Sequence, residues 1–140
     1  MTLFRLLVII ALVVAGVQLW QSRSEEKALR ALTSAAGFVP VPMPEGAARN
    51  TVIVFAPKNC PREGAQRARA MVQKLSDRGI ANVMSDHYGA QAFEPNPETV
   101  AAFKRLNAVM TGEIPIVLIN GMGKANPTAD EVESEFRRTQ

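Results

Sequence analysis

The hydrophobic positions of the chain form one long block at the start and several short ones later. Residues 6–20 carry no charge, and Gln18 is their only strongly polar side chain. Counted from Leu3 to Trp20, the block has about 18 residues, which at 1.5 Å per residue is close to the minimum needed to cross a hydrocarbon layer of roughly 30 Å. The indole of Trp20 suits the membrane interface. The pattern predicts a transmembrane signal anchor over residues 1–22.

Two other interpretations of this leader stay open. A cleaved signal peptide would use small residues such as Val13 and Ala15 before the cut, and a buried helix of the folded domain would also be apolar. Basic residues flank the block on both sides, so their count does not fix the orientation. Leaders of this kind usually send the next domain across the membrane. We therefore expect a single pass in the inner (cell) membrane, with a periplasmic or extracytoplasmic domain.

Residues 23–45 have the pattern of a connector. Glu25 and Glu26 open a short helical segment, and Gly37 follows it, as expected for a helix that ends there. In residues 39–44 prolines alternate with apolar residues, which favours an extended polyproline-like backbone. The sequence predicts a helical and proline-rich stalk over 23–45 and a folded domain over 46–140.

Within residues 46–140 the periodicity changes several times. Residues 51–56 are a continuous β-branched and aromatic run, typical of a central strand that is buried on both faces. Two segments with helical spacing and two further strand-like runs follow: helices over 61–78 and 97–110, and strands over 80–84 and 114–119.

The end of the chain carries two turn signals. Asn120-Gly121 is a strong hairpin signal, which predicts a returning antiparallel strand over 123–126. Thr128 and Glu131 have the spacing of a capping box, which predicts a last helix that reaches Arg138. The element order is therefore βαβαββα, and it predicts an α/β sandwich with a mixed four-stranded sheet.

Composition excludes several classes of function. The 140 residues include 16 basic and 13 acidic side chains, a balance that does not indicate nucleic-acid binding. Cys60 is the only cysteine, so the chain has no internal disulfide and no all-cysteine zinc site. His87 has no neighbours at metal-ligand spacing. We expect neither a metal nor a nucleic-acid partner.

Cys60 is the main candidate for chemistry. It lies between the first strand and its helix, and Pro61 suits the first helical position, so the sequence predicts Cys60 as the helix N-cap. A sulfur there faces the positive end of the helix dipole, which favours the thiolate. Lys58 acts in the same direction, whereas Glu63 opposes it. The other interpretation is an inert, apolar capping cysteine.

The segment Thr51-Val-Ile-Val-Phe-Ala-Pro-Lys-Asn-Cys-Pro61 resembles the first strand and active-site turn of glutaredoxins, a branch of the thioredoxin-fold superfamily. Residues 113–121, Glu-Ile-Pro-Ile-Val-Leu-Ile-Asn-Gly, are similar to the family's T-V-P-x-V-F-I-N-G segment. The resemblance covers residues 51–136 and implies a thioredoxin-like fold. It also implies that Pro115 is a cis-proline facing Cys60.

The resemblance assigns roles to the neighbouring residues. The backbone of Ile114 would align a bound thiol peptide, Lys58 would hold a glutathione carboxylate, and Pro61 would open the active-site helix. Glu63 stands where the family has a second cysteine or a serine, so only monothiol exchange with an external thiol is left. The implied partners are protein thiols or glutathione, and glutathione is the only cofactor implied. The alternative function is a non-catalytic thioredoxin-fold binding module in an envelope assembly.

Overall fold

A computed structural model describes residues 2–90 and 92–140. The chain divides into two compact units, with the boundary between residues 32 and 33. The first unit is helix α1 (Thr2–Leu32). In the described part of the chain it is the one helix that is long and apolar enough to cross a membrane, and none of its apolar stretch is buried. That exposure argues against a core helix. The helix continues past Trp20 without a break to Leu32.

The second unit, residues 33–140, is an α/β domain with a single sheet. The strands are β1 (Val39–Pro40), β2 (Val52–Phe55), β3 (Asn82–Ser85), β4 (Ile116–Ile119) and β5 (Met122–Ala125). The helices are α2 (Glu63–Asp77), α3 (Pro97–Met110) and α4 (Ala129–Thr139).

The sheet has five strands in the order β1-β5-β4-β2-β3. The β2–β3 pair is parallel and the other pairs are antiparallel, so the sheet is mixed, as predicted. Val52 and Val54 pack on the face that α2 and α4 cover, while Ile53 and Phe55 pack on the face of α3. Apolar residues on both faces explain why β2 shows no alternation.

The sequence predicts four strands, but the sheet has five. The additional strand is β1, which lies in the segment that was predicted to be a stalk. Val39 pairs with Gly123, and the N–H of Val41 donates to the carbonyl of Gly121 at 2.8 Å. Phe38 is completely buried in the core. Prolines lack an N–H and are tolerated at a sheet edge, where Pro40 lies. The compact unit therefore includes residues 33–45 as well as the predicted 46–140.

Local signals near the C-terminus gave the expected structures. Asn120 and Gly121 have φ values of 45° and 83°, as a two-residue hairpin of type I′ requires. Thr128 is the N-cap of α4, and both hydrogen bonds of its capping box with Glu131 are present. These two turns place β5 beside β4 and return the chain across the sheet.

Candidate functional site

Cys60 lies in the loop between β2 and α2, but it is not the N-cap of the helix. The N-cap is Arg62, which has extended backbone angles (φ −64°, ψ 150°), and the helix begins at Glu63. Because Arg62 is extended, Pro61 cannot be the first helical residue. The N-cap prediction for Cys60 is wrong by two positions, and the argument from the helix dipole loses its basis.

The side chain of Cys60 is partly exposed and lines a cavity of about 430 Å³. We call this space the Cys60 cavity. Its walls are the loop at Pro57, the first turn of α2, and the segment Glu113–Ile114 that leads into β4. The structure thus brings together two stretches of chain that lie about fifty residues apart in the sequence.

The peptide bond between Ile114 and Pro115 is cis, as the resemblance implied. It is Ile114, however, that lines the Cys60 cavity, whereas Pro115 is fully buried and lines a neighbouring cavity of about 360 Å³. A Cβ added to Gly64 would lie 3.2 Å from the Cβ of Ile114. The first turn of α2 therefore packs tightly against the residue before the cis-proline.

Arg67 is the residue of this site that the sequence did not reveal. Its Nη2 donates to the carbonyl oxygen of Ile114 at 2.9 Å, and its Nη1 donates to Oε1 of Glu63 at 3.0 Å. A second carboxylate, Glu113, lies 3.6 Å from Nη2. Arg67 lines both neighbouring cavities. In the sequence, the (i, i+4) spacing of Glu63 and Arg67 indicates only the ion pair between these two side chains.

Lys58 is engaged on the other side of the loop. Its Nζ lies 3.4 Å from Oδ2 of Asp86, and Nδ1 of His87 lies 2.9 Å from Oδ1 of the same carboxylate. The hydrogen bond with His87, followed by that with Lys58, lowers the pKa of Asp86 below its ordinary value. Lys58 is not among the residues that line the Cys60 cavity.

Pro61 also lies outside the lining of that cavity, and its carbonyl oxygen accepts a hydrogen bond from Nε2 of Gln66 at 2.7 Å. The carbonyl of Cys60 accepts one from Nη2 of Arg69 at 3.1 Å. These two bonds tie the loop to the side chains of α2. They fix the backbone that follows the thiol without using its sulfur.

The polar side chains around the start of α4 are paired within the chain. Lys124 is held by the carboxylate of Glu131, at 2.9 Å, and by the carbonyl of Ala36. Asp130, in the first turn of α4, is paired with Arg78 at 2.8 Å.

A further cavity of about 340 Å³ lies between β1 and α3, on the opposite face of the sheet from α2. Its lining includes Met43, Tyr88 and Phe93. The hydroxyl of Tyr88 donates to the carbonyl of Pro42 at 3.1 Å, and burial raises the pKa of this phenol. Within residues 2–90 and 92–140, no three metal-ligating side chains come together.

Comparison with protein-family models, with curated proteins and with solved structures finds no match to this chain. The candidate site is therefore defined by the geometry of Cys60, Arg67 and Ile114 alone.

Proposed function

We propose that the chain is a membrane-anchored protein with a thioredoxin-like, glutaredoxin-like domain that exchanges disulfides through the single thiol of Cys60. One observation supports this above the others. The partly exposed Cys60 and the residue before a cis-proline, Ile114, line the same cavity. A partly exposed sulfur beside the residue before a cis-proline is the arrangement that thiol exchange with a peptide would use.

The chemistry consists of two exchange steps. The Cys60 thiolate attacks one sulfur of a partner disulfide, a bond forms between the two sulfurs, and the other partner sulfur leaves as a thiolate. The thiolate of an external thiol then attacks the partner's sulfur in the mixed disulfide, forms a new disulfide with it and releases Cys60 as a thiolate. In sum, one partner sulfur leaves as a thiol and the other is joined to the external thiol, so electrons balance without a second cysteine in this chain.

A protein thiol is the preferred partner on physical grounds. In the glutaredoxins that the sequence resembles, a Gly-Gly-x-Asp stretch holds the free end of glutathione, and residues 124–128 replace that stretch here. The Cys60 cavity, by contrast, is lined by Ile114. A partner peptide would add its N–H to the carbonyl of Ile114 once Arg67 releases that oxygen. Lys58 contributes only if its pairing with Asp86 opens.

The anchor assigns the domain to a membrane surface. Helix α1 has the length and apolarity of a single-pass span. We place it in the inner (cell) membrane with the domain on the periplasmic side. A reporter fused after Gln140 reads the side, and sequencing the mature N-terminus distinguishes an uncleaved anchor from a signal cut after Ala15.

The test of the redox proposal uses the full chain in detergent micelles. The wild type and a Cys60→Ser variant are each reacted with an oxidised peptide disulfide, and the products are separated by mass. We expect a mixed disulfide with the wild type that the Cys60→Ser variant does not form. A wild type that shows no Cys60-dependent exchange would contradict the proposal.

A second function, a non-catalytic binding module, is favoured by a different observation. Arg67 is bonded to Glu63 and to the carbonyl of Ile114, so the backbone oxygen that a thiol peptide would use is already occupied by a side chain of this chain. A binding module would keep its partner in the Cys60→Ser variant and lose it in variants of the other residues that line the Cys60 cavity. Pull-down of cross-linked partners from membranes with both variants separates the two functions.

A further inference from the structure

The two edges of the sheet differ in how they are protected. At one edge lies β1, which has two residues, and the prolines at 40 and 42 supply no N–H there. At the other edge lies β3, which in the described part of the chain pairs only with β2. Natural proteins usually block an edge with proline, a charged side chain or a bulge. Residues 79–85 contain none of the charges or prolines that would do so.

The backbone of β3 presents its free groups in a regular order. The carbonyls of Ala81 and Ser85 accept hydrogen bonds from Val52 and Ala56, at 2.8 and 3.0 Å. Alternate residues of a strand point their backbone groups to opposite sides. The N–H and C=O groups of Asn82 and Met84 therefore point to the open edge.

Val83, between them, has a side chain that is 48% exposed. It lies on the opposite face of the sheet from Met84, which packs against the core under α2. An exposed valine on an open edge strand has the shape and polarity that suit a cross-strand partner.

We propose that β3 pairs with β3 of a second copy of this chain, antiparallel and around a twofold axis at Val83. In that register Asn82 of one copy lies opposite Met84 of the other, and each such pair exchanges two backbone hydrogen bonds. Val83 lies opposite its own counterpart in a close, non-hydrogen-bonded pair. The two five-stranded sheets become one continuous sheet.

Charge does not oppose the pairing of identical strands. The nearest charged residues along the chain are Arg78 before β3 and Asp86 after it. Arg78 is paired with Asp130 and Glu133, and Asp86 is paired with Lys58. Both ends of β3 therefore carry charges that are already compensated within one copy, and no unpaired like charges face each other when two copies meet.

A membrane anchor strengthens the argument for a second copy over an unrelated strand. Helix α1 confines all copies to one surface, which raises their effective concentration. A twofold contact uses the same surface on both partners and closes on itself. The proposal does not depend on the chemistry of Cys60.

The register is tested by cross-linking the full chain in lipid nanodiscs. Cys60 is the only cysteine of the chain, so in a Cys60→Ser background an introduced cysteine carries the only thiol. Val83→Cys should give a disulfide-linked dimer under mild oxidation, because the Cα atoms of such a pair lie about 4.5 Å apart. Ala108→Cys, exposed on α3, is the matched control and should stay monomeric. Equal cross-linking of the two variants would overturn the proposal.

Mass measurement without cross-linking gives a second test. We expect light scattering in detergent micelles to give twice the monomer mass for the wild type. The measured mass should fall two-fold in Val83→Lys, because this variant would place two ammonium groups opposite each other. Val83→Thr keeps a β-branched side chain and should stay dimeric. A wild-type monomer, as expected if another protein's strand fills the edge, would overturn the proposal. A dimer that persists in Val83→Lys would do the same.

Discussion

The guanidinium of Arg67 donates a hydrogen bond to the carbonyl oxygen of Ile114 at 2.9 Å, across the gap between α2 and the segment before β4. The same side chain binds Glu63 and lies near Glu113. Arg67 thus holds the carbonyl oxygen of Ile114, which a peptide partner would use under the proposed function. Under that proposal, exchange with a peptide requires that this bond opens.

Arg67→Lys should therefore speed the reaction of Cys60 with a peptide disulfide. The change keeps the positive charge but removes the planar fork that reaches Ile114. A hydrogen bond is worth about 1 kcal/mol net, so we expect an increase of about five-fold in the second-order rate constant. Alkylation by iodoacetamide, which needs no backbone contact, is the control and should not change. An equal increase with both reagents would mean that Arg67 acts on the thiol itself.

Phe38→Ala should destabilise the domain by about 3–5 kcal/mol, because a completely buried ring is lost and a cavity is left. Urea unfolding of the full chain in detergent measures the change. Phe93→Ala removes a ring that is half exposed and stacked on Phe103, and should cost no more than about 1 kcal/mol. Equally small losses of unfolding free energy in the two variants would indicate that residues 33–45 are a stalk outside the folded domain.

Gly123→Ala should destabilise the domain by about 1–3 kcal/mol through overpacking. A Cβ at this position would lie 2.6 Å from Cδ2 of Leu118 and 2.9 Å from Cγ2 of Val41. Gly89 has no neighbour closer than 4.0 Å to an added Cβ, so Gly89→Ala should stay within about 0.5 kcal/mol of the wild type. Thermal melts of both variants provide the comparison, and a neutral Gly123→Ala would show that β1 does not pack on β5.

Glu131→Gln should weaken the domain at neutral pH but not in acid. Hydrogen bonds from Lys124 and from the N–H of Thr128 lower the pKa of Glu131. A lowered folded pKa stabilises the fold above the unfolded value of about 4.3, and the contribution is lost as pH falls through the folded pKa.

The difference in unfolding free energy between Glu131→Gln and the wild type should be at most about 1 kcal/mol at pH 7, because the pair is partly exposed. It should shrink as the pH falls below about 4.3 toward the lowered folded pKa of Glu131. Urea unfolding at pH 7, 5 and 3 measures it, with the exposed Glu94→Gln as a control. A difference that stays constant with pH would assign the effect to the shape of the capping box.

Features set by a few neighbouring residues could be predicted from the sequence. The Asn120-Gly121 hairpin and the capping box at Thr128 depend only on local backbone preferences, and both are present. The helix over 97–110 matches α3 for the same reason. Strand β1 was not predicted because prolines are compatible with a strand only at a sheet edge, and no local pattern shows where a segment lies in a sheet.

The site was predictable only in part because its contacts are between distant segments. The structure confirms the cis peptide bond before Pro115 and places Cys60 and Ile114 around one cavity, while the role of Ile114 stays a prediction. The pairing of Lys58 with Asp86 follows from β2 and β3 being parallel neighbours that end side by side. The bond from Arg67 depends on how closely α2 approaches β4, and no sequence spacing encodes that distance.

The prolines that close the β1 edge have a consequence for the size of any assembly. A sheet with two open edges can add strands at both and grow into a fibre. Here β1 has two residues and offers no continuous row of donors. If β3 pairs as proposed, growth by edge pairing would stop after a single addition and give a closed dimer instead of a filament.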